Sequence, residues 1–141
     1  MEAAQSFAMC LAKFSYLYQD YDREYATACL QAADRAWKYA VLNEETDAGQ
    51  NTWKFAAAAE LYRASGKQEY RYYLEVCLAK EGEEEQDDLP YLLGSVTYLM
   101  TRQPVKQEYC SERLTQLLPE AEVLSAKITK EPFYVLAHED Q

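Results

Sequence analysis

Apolar residues recur at three- and four-residue spacing in six stretches of this chain, and nowhere does a strand-like alternation run for any length. The pattern predicts helices throughout. Over about residues 2–19, Phe7, Leu11, Phe14 and Tyr18 set a stripe that Met9, Tyr16 and Leu17 widen. A short turn follows, with Asp22 placed to cap the next helix and Glu24 favourably placed in its first turn. That second helix, about residues 23–43, is amphipathic. Tyr25, Cys29, Ala32, Ala33, Ala36 and Ala40 share one face, and Arg23, Thr27, Gln31, Asp34 and Lys38 share the other. Asp34 and Lys38 form a correctly oriented i,i+4 pair.

A polar loop over residues 44–51 leads into the most apolar stretch, residues 53–66. At about 100° per residue its apolar side chains cover almost the whole circumference, broken only by Lys54, Glu60 and Arg63. It is too short and too interrupted to span a bilayer, so it is expected to lie between neighbouring helices. Gly66 suits the left-handed position that ends a helix. A fourth helix runs to about residue 80, carrying Tyr70, Leu74 and Cys77. The acidic run of residues 81–88 lacks the ligand spacing of a calcium loop and reads as a solvated connection. A fifth helix over about residues 90–101 begins with Pro90 in its tolerated first-turn position. The last, about residues 106–130, contains Pro119, where a kink or break is expected.

The length of 141 residues suits a single helical domain or a segment of a larger one. The 14 Lys and Arg against 24 Asp and Glu give a net charge of −10, which argues against nucleic acid as a partner. No stretch predicts a membrane span. The opening residues have neither a basic region nor a long apolar core, so no signal peptide is read there, and the composition does not fix localisation. Thirteen tyrosines suit helix interfaces in which the ring is buried and the hydroxyl reaches water; sugar-stacking platforms are the other reading. Cys10, Cys29, Cys77 and Cys110 are far apart and the chain has one histidine, so no metal site and no cofactor are expected and the thiols read as free and buried.

Candidate chemistry is sparse. There is no Gly-x-Ser-x-Gly, no phosphate-cradling glycine loop and no His-Glu-x-x-His. His138 reads as exposed. Glu60, three residues before Arg63, reads as an ion pair or cap. Trp53 is the candidate substrate-binding residue, because a flat apolar ring suits a pyranose face; Trp37 reads as core.

Two segments carry a family resemblance. Ala28-Cys29-Leu30-Gln31-Ala32-Ala33-Asp34-Arg35-Ala36-Trp37 resembles an alanine-rich helix of family 9 glycoside hydrolases that ends in Arg-Ala-Trp. Ala57-Ala58-Ala59-Glu60-Leu61-Tyr62-Arg63-Ala64-Ser65-Gly66, with Tyr70, is similar to a second family helix, in the same order and separation. The resemblance implies an all-α fold of antiparallel hairpins of the (α/α)6 toroid type, with about six helices and an incomplete ring. It also implies a parent protein that degrades cellulose or a related β-glucan by inversion, with carbohydrate as the partner. Such enzymes need a carboxylate base and a separate carboxylic acid. The family's base lies upstream and its acid downstream of the matched segment, so no catalytic residue is assigned here. Asp47-Ala48-Gly49 echoes the family's base motif, but Gln50 replaces its second aspartate. Thr52, Trp53 and Ala56 stand where the family carries acidic residues and a tryptophan, and Lys67 stands where aspartate is common. The alternative is a tetratricopeptide-like protein-binding module, although hairpin starts near residues 2, 50 and 89 are uneven for a 34-residue repeat. Three hairpins of an incomplete ring leave helix faces through which a homo-oligomer could form.

Overall fold

The computed structural model describes residues 2–43, 52–78 and 88–128. They form six helices: α1 (Glu2–Tyr18), α2 (Arg23–Leu42), α3 (Thr52–Ser65), α4 (Gln68–Leu78), α5 (Leu89–Met100) and α6 (Gln107–Ile128). No strand occurs among the described residues. No helix there is long and apolar enough to cross a membrane. The chain divides into two compact units, Met1–Val105 and Lys106–Gln141.

In the first unit α3 is the central element. Residues 54–62 are buried without interruption, and α1 and α5 pack on it to either side while α4 also contacts it and α2 packs on α1 and α3. Short links make α1–α2 and α3–α4 antiparallel hairpins, so α1, α3 and α5 form one layer and α2 and α4 back it. Asp22 caps α2 by accepting the Tyr25 N–H at 2.9 Å. Gly66 ends α3 at φ +67°, where its N–H donates to the Tyr62 carbonyl at 2.8 Å. Pro90 lies in the first turn of α5.

The three polar interruptions of α3 are each accommodated. Lys54 lies 4.5 Å from the Tyr73 ring centroid and 5.8 Å from that of Trp37. The Arg63 guanidinium sits 4.6 Å from the Tyr16 ring. Glu60 turns inward. Gly94 of α5 lets that helix approach α3 closely, since a Cβ there would lie 2.7 Å from Phe55 Cδ1 and 3.0 Å from Ala56 Cα. Beside it Phe55 and Tyr91 stack at 4.9 Å. Tyr62, Tyr70, Tyr91 and Tyr98 are all buried, as interface tyrosines should be. The Tyr62 hydroxyl donates to the Pro104 carbonyl at 2.7 Å.

Four sequence expectations are corrected. In α1 the inward face is Gln5, Ala8, Ala12 and Ser15, whereas Phe7, Phe14, Leu17 and Tyr18 are exposed. Small side chains permit the close approach that buries α1 on α2 and α3, and this outweighs the size of the aromatic stripe. The inward stripe of α2 runs through Ala26, Cys29, Ala33, Trp37 and Ala40, which leaves Tyr25 outside to pack edge-on against Phe14 and Tyr18. Cys10 is exposed, while Cys29, Cys77 and Cys110 are buried, and none of the four forms a disulfide. In the second unit α6 runs continuously through Pro119, so of the kink or break expected there the break does not occur.

Candidate functional site

The links between helices differ at the two ends of the α1–α3–α5 layer. Residues 19–22 and Gly66–Lys67 are short turns at the carboxyl ends of α1 and α3, whereas residues 44–51 and 79–87 lead into the amino ends of α3 and α5. Long connections are where binding groups collect. Trp53 stands at that end, in the first turn of α3, and is partly exposed. Trp37, by contrast, is buried in α2 with its ring edge-on to Tyr70 at 5.6 Å and Tyr73 at 5.3 Å.

Three described carboxylates are buried or partly buried, Asp34, Glu60 and Glu75, and each is bound to a cation. Glu60 is only 2% exposed. Its Oε1 accepts from Lys13 Nζ at 3.2 Å and from the Thr97 hydroxyl at 2.6 Å, and its Oε2 accepts from the Tyr16 hydroxyl at 2.7 Å. One carboxylate thereby ties α1, α3 and α5 together. Burial and the neighbouring Glu60 carboxylate push the Tyr16 hydroxyl far above the ordinary phenol range, so it stays a donor. The expected Glu60–Arg63 ion pair does not form, because Arg63 lies over Tyr16 instead.

Asp34 does the same between α2 and α4. It accepts from Lys38 Nζ at 2.6 Å, from Lys67 Nζ at 3.0 Å and from the Tyr70 hydroxyl. Partial burial would raise its pKa, but hydrogen bonds from Lys38, Tyr70 and Lys67 outweigh it and hold the group at about 2. Lys67 thus replaces a helix-capping role by a cross-helix ion pair. Glu75 accepts from Arg71 Nε at 2.9 Å within α4.

At the short-turn end a cleft of about 400 Å³ is lined by Tyr16, Gln19, Asp20, Arg63, Met100, Arg102 and Gln103. A smaller cavity of about 190 Å³ adjoins Tyr16 and Gln19 from the α2 side. The cleft offers guanidinium and amide donors but one carboxylate, the exposed Asp20, where an inverting hydrolysis requires two. Among the described residues no three His, Cys, Asp or Glu side chains converge to hold a metal ion. Asp47-Ala48-Gly49 and His138 lie outside the described residues.

Sequence reasoning placed Trp37 in the core and Asp34 with Lys38. It missed Lys13, Tyr16 and Thr97, which reach Glu60 from 37 to 47 residues away and follow no spacing rule.

Comparison with known proteins gives these features a context. A search against curated proteins finds a cellulose 1,4-β-cellobiosidase of Acetivibrio thermocellus, 32% identical over a 92-residue alignment that covers 51% of this chain and 10% of that protein. Among solved structures, a single-mutant thermostable endoglucanase of Alicyclobacillus acidocaldarius superposes with a TM-score of 0.70 at 22% identity, over 98% of this chain and 29% of that one. Its fold is an (α/α)6 barrel, and the hairpins described above share it. The chain therefore spans well under half the length of these relatives. The sequence profile of glycosyl hydrolase family 9 matches residues 1–127, and the chain belongs to that family.

Proposed function

We propose that these residues are a helical-hairpin segment of a family 9 catalytic domain for degrading β-linked glucans, supplying barrel scaffold and a sugar contact but no acid or base. The carrying observation is the state of the enclosed carboxylates. Asp34, Glu60 and Glu75 are each held by cations, and Glu60 spends both oxygens on three donors inside the helix layer. A general acid or base must instead face substrate or water in a cleft. Among the described residues the exposed carboxylates lack the enclosure that raises a catalytic acid into its working range.

Within this reading Trp53 is the sugar contact. It is partly exposed at the end of the layer to which the longer connections lead, and its ring offers a flat apolar surface to a pyranose. The test is a titration of the full chain with cellohexaose, followed by tryptophan fluorescence. Saturable quenching that is lost in Trp53→Ala, with the helical circular dichroism unchanged, is the expected result. Unchanged binding in Trp53→Ala would remove this residue from the site.

A further inference from the structure

The cleft at the short-turn end plays no part in the glucan reading. It is walled within the first unit by the carboxyl ends of α1, α3 and α5, and its volume of about 400 Å³ falls at the lower end of the roughly 300–1,000 Å³ of small-molecule sites. Gln19, Asp20 and Arg102 are exposed, and among the described residues their side chains enter no hydrogen bond or ion pair. Arg63 is half-buried, lies over the Tyr16 ring at 4.6 Å and is in no ion pair there either. That ring is itself fixed, because its hydroxyl donates to the buried Glu60 at 2.7 Å. Gln103 comes from the link after α5, and Gly66 leaves it room: a Cβ at Gly66 would lie 2.9 Å from Gln103 Oε1. The cleft thus gathers polar side chains from three helix ends whose hydrogen-bonding groups are unspent.

Charge selects the ligand. Two guanidinium groups alone would suit an oxyanion. Each of the three helix carboxyl ends, however, carries about half a negative charge, and Asp20 adds a full one, so the two positive charges are offset and no net field holds an anion. What remains is a set of planar donors and acceptors, in which guanidinium and amide N–H groups donate while Asp20 and the amide oxygens accept. Neighbouring hydroxyls on a sugar ring donate and accept side by side, which such forks can bridge two at a time. We propose that this cleft is a second saccharide site, one that takes a short neutral sugar by its hydroxyls, with Arg63, Arg102 and Asp20 as anchors and Gln19 and Gln103 as further contacts. It lies at the opposite end of the layer from Trp53 and shares no residue with it, so either site can fail without the other. A polar cleft of this size implies dissociation at about 1 mM.

The test is a nuclear magnetic resonance titration of the nitrogen-15-labelled 141-residue chain with cellobiose, and separately with inorganic phosphate, at constant ionic strength. The side-chain amide signals of Gln19 and Gln103 report this cleft, and the Trp53 indole N–H reports the other end. With cellobiose both amide signals are expected to shift saturably with one dissociation constant, unchanged in Trp53→Ala and weakened about tenfold in Asp20→Ala and in Arg102→Ala. Both substituted side chains are exposed, and circular dichroism checks that the helices persist. The absence of a saturable shift at the two glutamines, or the same constant in both cleft variants, would overturn the site. Phosphate that saturates these signals more tightly than cellobiose would mean an oxyanion site and overturn the saccharide assignment.

Discussion

Replacing Glu60 by alanine removes the acceptor shared by three side chains from two other helices, and the cost can be worked donor by donor. The Thr97 hydroxyl is 2% exposed and has no route to water, so leaving it unmet costs about 1–3 kcal/mol. Tyr16 is half-buried and donates over 2.7 Å, and losing its acceptor costs about 1–2 kcal/mol. Lys13 is 47% exposed and turns to solvent at little cost. Adding the small cavity gives about 3–5 kcal/mol for Glu60→Ala, the range for breaking a buried charged network. The control is Thr97→Val. In the wild-type background it takes one donor from a buried carboxylate and costs about 1–2 kcal/mol; beside Glu60→Leu it removes a donor with nothing to bond and should cost nothing or recover up to about 1–3 kcal/mol. Urea unfolding followed by far-ultraviolet circular dichroism reads all four corners of that cycle. A loss below about 1 kcal/mol for Glu60→Ala, or the same cost for Thr97→Val in both backgrounds, would refute the network as the tie between α1, α3 and α5.

Three further outcomes follow from the same packing. Asp34 titrates at about 2 when folded against 3.8 unfolded, so its contribution is fully present above pH 4 and is lost as the pH falls towards 2. That contribution is about 1–2 kcal/mol, and unfolding free energy measured against pH should lose its slope between pH 4 and 2 in Asp34→Asn. Gly94→Ala places a Cβ 3.0 Å from the backbone of Ala56, which cannot rotate away, and should cost about 1–3 kcal/mol in the same assay. Gln5 is fully buried with neither amide atom hydrogen-bonded, so Gln5→Met should gain about 1 kcal/mol, whereas a loss would show an unrecognised partner for the amide.

The elements were legible in the chain because helical period, the Asp22 cap, the Gly66 stop and the Pro90 start are all local signals, and each matches the structure. The orientation of α1 was not, because the eye follows Phe7, Phe14 and Tyr18 while packing follows volume. Gln5, Ala8, Ala12 and Ser15 carried the right signal, small or slender residues at i, i+3, i+7 and i+10. Proline at position 119 promised a kink or a break, and α6 continues through it without a break. At the candidate site the Asp34–Lys38 pair is readable because it lies within one turn, but Lys67 and Tyr70 reach the same carboxylate from another helix. For Glu60 the local rule chose Arg63, and the real partners come from α1 and α5. Contacts between elements are set by how the hairpins stack, which no spacing within one helix encodes.

The central proposal is that this stretch of a family 9 domain contributes fold and sugar contact without acid–base chemistry. Its most direct test is to incubate the purified chain with cellohexaose and with carboxymethylcellulose and to quantify reducing ends over time, beside a sample carrying Glu60→Gln. No release above the substrate blank is expected in either sample. Steady release by the wild-type chain that one carboxylate substitution within residues 1–141 abolishes, with folding intact, would contradict it.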